Sequence, residues 1–346
     1  MKKISIIICT RNRSSLLNKL LDCFKQQNRE MLSQSEILIV DNDSCDDTKK
    51  IVDKFKNESG LEVKYFLEKN IGSSYPRNTG AKFAQGEYFL FLDDDVVLES
   101  DFLENVFKAI KEFNQFEIIG FRVLLEWNNI DKPYWFNFNP VLGFNFSLTP
   151  SIFPLHDLGN APIEYPNKIT RNPISAAFLI KKDAFNVVGF FREDLGINKT
   201  GLSEDFEFFA YAISRKLKAI YCPYVTVMHP VYDTRLSINY IHGWYFKLGK
   251  SLYRAINTGR LYEFNSKPVM GLEGLIANKF PKELSSFLNI RIFRIPVFLY
   301  LKFIFSVVLL PFTLLLIFVK KPFYPSTLLF KTFGQMYQSR VDCPGS

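Results

Sequence analysis

A chain of 346 residues, 47% hydrophobic and 23% charged, holds enough apolar material for one large domain or two ordinary ones, and its composition excludes a disordered chain. Five scattered cysteines without CxxC spacing exclude a disulfide framework and a structural zinc site, which favours a reducing compartment. The formal charge of +8 is uneven: residues 279–346 carry nine Lys or Arg against Glu283 and Asp342, so the rest of the chain is close to neutral. A neutral body with a basic, apolar tail points to an anionic membrane surface rather than to nucleic acid.

The first 125 residues alternate short apolar runs with helical patterns. No secretory leader is expected at the start, because Arg11 and Arg13 interrupt the apolar run after only a few residues. Ile4 to Cys9 reads as a buried strand. Ser14 is placed to cap a helix whose Leu16, Leu17, Leu20, Leu21 and Phe24 share a face. Ile37 to Val40 is a second strand, and Asp46 or Asp47 starts a second helix through Ile51 and Phe55. Lys64 to Leu67 is a third strand, and Pro76 suits the first turn of a third helix ending near Phe83. Tyr88 to Leu92 is a fourth strand, followed by a helix from about Asp101 to Phe113. This alternation predicts an α/β fold: a mostly parallel sheet with helices on both faces, binding its ligand beyond the carboxyl ends of the strands.

From Asp131 to Pro173 the character changes, with seven of the 17 prolines among Asn and aromatics, and a long, partly irregular segment packed by its aromatics is expected. Ser175 to Ile180 reads as a strand and Asp183 to Val188 as a helix. Ser203 is placed to cap a helix whose Phe206, Phe209, Ala210, Ile213 and Leu217 share a face. Tyr224 to Met228 reads as a strand ending at His229-Pro230, and a helical stretch spans about Ser237 to Ile256. The aromatics and lysines of Tyr240 to Tyr253 suit packing better than a membrane interface, and His156 and His242 read as ordinary. Phe303 to Val319 is 17 residues without a charge, broken at Pro311 and flanked by basic residues on both sides. At ~1.5 Å rise it reaches roughly 25 Å, which favours a monotopic or re-entrant segment, with a spanning helix or a buried core helix as the alternatives.

The densest chemistry lies in Asp93-Asp94-Asp95 at the end of a buried strand. Consecutive carboxylates repel unless a cation binds them, and in an extended chain Asp93 and Asp95 point to the same side, which suits Mg²⁺ or Mn²⁺. One of these acids capping the next helix is the alternative. Asp41, at the end of the second strand, serves equally as a nucleoside acceptor or an Asx turn. No GxGxxG or GxxxxGK[ST] follows a strand, which argues against dinucleotide oxidoreductases and P-loop enzymes.

In order, Cys9-Thr-Arg-Asn-Arg13, Val40-Asp-Asn-Asp-Ser44, Asn70-Ile-Gly with Arg77-Asn-Thr-Gly80, Leu92-Asp-Asp-Asp95, Ser175-Ala-Ala-Phe-Leu-Ile180, Val188-Gly-Phe-Phe191 and Ser203-Glu-Asp205 resemble the family-2 glycosyltransferases of GT-A fold. The resemblance covers about residues 3–230. It implies a metal-dependent, inverting transfer from a nucleotide-diphosphate sugar, with UDP the favoured nucleotide. By that resemblance Thr10, Arg11, Asn12, Asp41 and Asp94 would bind the nucleotide, Arg77 would face the diphosphate, and Asp93 would contact the ribose or the metal. Asp93, Asp95 and His229 would hold Mn²⁺ or Mg²⁺, and Asp205 would be the general base with Glu204 beside it. Two positions depart from the family: Cys9 stands where Pro is frequent, and Arg11 where an aromatic stacks on the base.

The expected organisation is a catalytic domain over 1–232, divided into a nucleotide-binding half (1–125) and an acceptor-side half (126–232). A helical, basic and apolar membrane-associating region follows over 233–346. The expected activity is sugar transfer to a lipid-linked or surface-polysaccharide acceptor at the cytoplasmic face of a membrane, without nucleic acid. A sugar nucleotidyltransferase and a catalytically silent membrane scaffold are the rivals; the first would need a Gly-rich loop that Cys9 to Arg13 lacks.

Overall fold

The computed structural model describes residues 2–132, 152–166, 172–199 and 201–260. Its centre is a nine-stranded sheet. In chain order the strands are β1 (Ile4–Thr10), β2 (Ser35–Asp41), β3 (Val63–Leu67), β4 (Tyr88–Asp93), β5 (Val97–Leu98), β6 (Ile118–Glu126), β7 (Ile163–Tyr165), β8 (Ala177–Lys181) and β9 (Ala219–Pro230). The helices are α1 (Ser14–Lys25), α2 (Arg29–Ser33), α3 (Thr48–Ser59), α4 (Ser74–Phe83), α5 (Phe102–Glu112), α6 (Lys182–Val188), α7 (Glu204–Ser214) and α8 (Ile238–Asn257). The strand order is β3-β2-β1-β4-β8-β6-β9-β5, and β7 pairs with β9.

The two-residue side-chain period of the strands builds both cores. Ile4, Ile6 and Ile8 of β1, with Tyr88, Leu90 and Leu92 of β4, pack on α1, α3 and α5. Ile7, Phe89 and Phe91 point the other way, onto α4, α6 and α7. Helix α4 sits so close to β1 that a Cβ at Gly80 would collide with Ile7 Cγ2, which leaves room only for glycine there. A third, smaller cluster joins Ile152, Phe153 and Val231 to Trp127, Tyr240 and Trp244, so part of α8 packs inward as its aromatics predict.

Several expectations need correction. The sheet is mixed rather than mostly parallel: β1, β2, β3 and β4 run parallel, but β8 pairs antiparallel with both β4 and β6. After β6 the chain forms β7, which pairs with β9, and then inserts β8 between β4 and β6, antiparallel to both, which no period in the sequence records. Neither expected serine cap forms. Ser14 is instead the first helical residue, and its N–H donates to Asp46 Oδ2 at 2.8 Å from the neighbouring loop. Ser203 occupies the cap position with φ +73°, and its buried hydroxyl makes no capping bond. Strand β9 starts five residues earlier than read, and β6 and β7 were not anticipated. Of the region expected to associate with membranes, residues 261–346 lie outside the described residues, including Phe303 to Val319. Among the described residues no helix is long and apolar enough to cross a membrane.

His156 bridges to Val123 of β6 and places Nε2 2.5 Å from the Tyr165 hydroxyl, beside the edge of Tyr221. It is 4% exposed, and burial pushes its imidazole down to about 4 despite Asp157. A histidine kept neutral in the fold takes up its proton on unfolding, so stability falls as pH drops from about 6.5 to about 4 and is level below that. The loss amounts to roughly 3 kcal/mol from this group. Thermal unfolding from about pH 7 to pH 4 should show that slope, and His156→Gln should flatten its share of it.

Candidate active site

The parallel half of the sheet aligns its strand ends. Cys9 pairs with Asp93 and Thr10 with Asp41, so the polar residues that follow β1, β2 and β4 meet along one edge. The Asp93 N–H donates to Ala176 O at 3.0 Å, which draws the start of β8 to the same edge. Strand β9 ends there too, because Met228 pairs with Val97 and Pro230 with Glu126.

Asp93, Asp95 and His229 each place a ligating atom within 4.8 Å of the others. Strand alternation does not bring them together: β4 stops at Asp93, and a turn, not an extended strand, swings Asp95 back beside it. His229 is 2% exposed, with Nδ1 3.0 Å from Pro230 O and Nε2 3.1 Å from Asp95 Oδ1. A carbonyl only accepts, so Nδ1 carries a proton, and Nε2 faces a carboxylate oxygen that has no other hydrogen-bond partner among the described residues. Two lone pairs at that distance repel unless the ring is protonated or a cation lies between them. Metal-ligating histidines use this arrangement, with the second nitrogen donating to a carbonyl, so the three residues fit a divalent cation.

Burial alone would raise the Asp95 carboxyl, but the His229 ring, with Arg13 and Arg235, outweighs it and holds it at about 2. Burial pushes Asp94 up to about 6 against the opposing Arg13. Arg13 Nη1 donates to Asp94 Oδ1 at 2.9 Å and to Asp95 Oδ2 at 3.2 Å, and the Tyr232 hydroxyl donates to the same Asp95 oxygen at 3.1 Å. The sequence reading gave neither Arg13 nor Tyr232 a role. Arg13 stood in the quoted motif and its charge was the available signal; Tyr232 had none.

Asp41 is 2% exposed and realises the Asx turn: Oδ1 accepts the Ser44 N–H at 2.8 Å, and Oδ2 accepts the Tyr65 hydroxyl at 2.7 Å. Each oxygen keeps a lone pair. Thr10 is buried beside it. Arg11 is exposed and pinned by Nε to Asn42 O at 3.0 Å, which holds its guanidinium at the rim. Asn12, at φ +52°, braces the loop by accepting the Cys45 N–H at 2.8 Å.

Arg77 is 8% exposed. Its Nη1 donates to Glu204 Oε1 at 2.8 Å, and its Nη2 lies 3.5 Å from Asp93 Oδ1. One guanidinium thus joins the metal-fitting cluster to the start of α7. Asp205 follows Glu204, half-buried, with Oδ2 accepting the Ser175 hydroxyl at 2.9 Å and Oδ1 accepting the Phe206 N–H at 2.7 Å. Burial and then the Glu204 charge raise its carboxyl above the ordinary range, against Arg77 and Ser175. A half-buried carboxylate of raised basicity is suited to take a proton.

The sequence profile of glycosyl transferase family 2 matches residues 5–147, the stretch from β1 through β6 that carries Asp41, Arg77 and Asp93 to Asp95. Over residues 5–147 the chain thus matches a family-2 glycosyltransferase domain. Over 112 residues it is 34% identical to a cholesterol galactosyltransferase of Borreliella burgdorferi, covering 32% of this chain and 30% of that protein. Over 136 residues it is 32% identical to a GalNAc(5)-diNAcBac-PP-undecaprenol beta-1,3-glucosyltransferase of Campylobacter jejuni, covering 39% and 42%. The match therefore spans less than half the length of either relative. A mannosyltransferase of Pyrobaculum calidifontis, solved with GDP-Man and Mn²⁺, superposes with a TM-score of 0.51 at 15% identity over 92% of this chain and 88% of its own. That likeness establishes the fold: the family-2 domain sits in a GT-A-like mixed sheet.

Proposed function

We propose that this chain transfers a sugar, with inversion, from a nucleotide-diphosphate donor to a hydroxyl of a lipid-linked or surface-polysaccharide acceptor. The observation that carries the reading is the reach of Arg77, which touches Asp93 on one side and Glu204, the neighbour of Asp205, on the other. A leaving-group side and a proton-accepting side thus stand one guanidinium apart, and displacement at an anomeric carbon needs both.

Asp93, Asp95 and His229 would hold Mn²⁺ or Mg²⁺, which when bound supplies positive charge to the departing diphosphate. Asp41 accepts an N–H from the base at its remaining lone pairs, and Thr10, Arg11 and Asn12 form the surrounding loop. Asp94, held by Arg13, shapes the ribose end. Asp205 takes the proton of the acceptor hydroxyl as that oxygen attacks. The undecaprenol-linked and cholesterol substrates in the relatives' names support a lipid-borne acceptor. The basic, apolar residues 279–346 support action at the cytoplasmic face of a membrane.

The test is thermal unfolding with UDP, GDP, dTDP or CMP, each with and without Mn²⁺. Uracil, thymine and guanine all offer the N–H that Asp41 would accept, and UDP is expected to respond most. At about 100 times its Kd a ligand adds ~2.7 kcal/mol, a shift readily read. Asp95→Asn should abolish the Mn²⁺-dependent part. A flat panel on folded protein would favour the silent scaffold.

A further inference from the structure

If Asp205 takes the proton, Glu204 beside it has no assigned part. We propose that Glu204 is a positioning residue: its carboxylate grips Arg77, and through Arg77 it fixes where Asp205 stands relative to Asp93. The proposal rests on the reading of Asp205 as the base.

Glu204 is itself poorly placed to act as a base. It is 7% exposed, and Oε1 is engaged by a charge-assisted bond from Arg77. Its other oxygen faces the loop before α7, where a Cβ at Gly196 would collide with Ser73 Oγ and come within 3.1 Å of Glu204 Oε2. Gly196 has φ +84°, so the loop bends in the one way that lets bare backbone close on this carboxylate.

The same contacts make Glu204 a good anchor. Among the described residues Ser203 Oγ is buried without a hydrogen-bond partner and gives α7 no side-chain cap, so the first turn needs another hold. Arg77 supplies it from α4, three residues before Gly80, which seats that helix tightly on β1. The guanidinium lies 5.7 Å from the centre of the Phe191 ring, and its second arm meets Asp93. A planar, two-armed cation can hold two carboxylates at a fixed separation, which a lysine cannot. Asp205 is the next residue after the anchored one. The charged groups facing it are Glu204 on its own helix and Arg77 from α4, with the Ser175 hydroxyl from the chain entering β8.

The experiment compares Glu204→Gln, Arg77→Lys and Asp205→Asn in the full chain. The readouts are Mn²⁺-dependent nucleotide binding, melting temperature, and the pH profile of nucleotide-diphosphate release. The probe is the nucleotide sugar of whichever nucleotide gives the largest thermal shift. Glu204→Gln is expected to bind nucleotide within about threefold of the parent and to lose about 10- to 100-fold in turnover. Its acid limb should move to lower pH, since a negative neighbour of Asp205 has gone. Arg77→Lys should lose turnover similarly, with the limb not displaced downward, and it tests the strut independently if Glu204→Gln melts early. Parental turnover in Glu204→Gln, or lost turnover with an unmoved limb, overturns the positioning role. Active Asp205→Asn would instead overturn the base assignment beneath it.

Discussion

Asp205→Asn is expected to lower turnover by about 10²- to 10⁴-fold while nucleotide binding with Mn²⁺ stays within about twofold, the range typical of losing a general base. Amide for carboxylate keeps the shape and one acceptor oxygen, which can take the Phe206 N–H, while the NH2 faces Ser175 Oγ, a hydroxyl able to accept as well as donate; the basic oxygen is lost. The residue's raised carboxyl sets the sign of the pH effect. Turnover by the parent should rise with pH as Asp205 ionises, along a limb above the ordinary carboxylate range, because burial and Glu204 favour its neutral form. Ser175→Ala removes a donor to the charged form and should push that limb further up. Steady-state turnover across pH, paired with calorimetric nucleotide titration, separates the outcomes. A matching loss of binding and turnover would make Asp205 a donor-site residue instead.

The first four strands were legible because each is a short apolar run closed by a polar cluster, and their parallel register then places Thr10, Asp41 and Asp93 on one edge. The later strands were not. In β6, Gly120 and Arg122 break the apolar run; the glycine is required by the Tyr165 hydroxyl and Pro173, whose positions only the fold reveals. Pro223 stands inside β9, yet the β6–β9 register shifts at Phe121/Arg122 and passes over residues 223–225, so the strand runs on both sides of it. At the site, residue types were informative and reasons were not. Asp93, Asp95 and His229 do converge, but by a turn and a distant strand end, and the Arg77–Glu204 pair spans 127 positions of sequence.

The largest effect expected on stability falls on a pair that sequence reasoning never named. Glu207, one turn along α7 from Glu204, is fully buried. Arg260, beyond α8, donates Nε to its Oε1 at 2.9 Å and Nη2 to its Oε2 at 2.8 Å. Arg260 also donates to Val188 O and lies 4.7 Å from the centre of the Tyr211 ring. Arg260→Met keeps much of the stem and removes the fork, leaving an unpaired carboxylate in the core. Breaking one side of such a pair costs about 3–5 kcal/mol, whereas replacing both sides with apolar groups is often near neutral. The melting temperature of Arg260→Met should fall by roughly 5–10 °C. The double variant Glu207→Leu with Arg260→Met should recover most of that fall, because no buried charge remains. A double variant as unstable as the single one would show that the stabilisation lies in the contacts of Arg260 with Val188 O and Tyr211. That result would place the hold of this segment on the last residue of α6 and on Tyr211 of α7, rather than on the buried carboxylate.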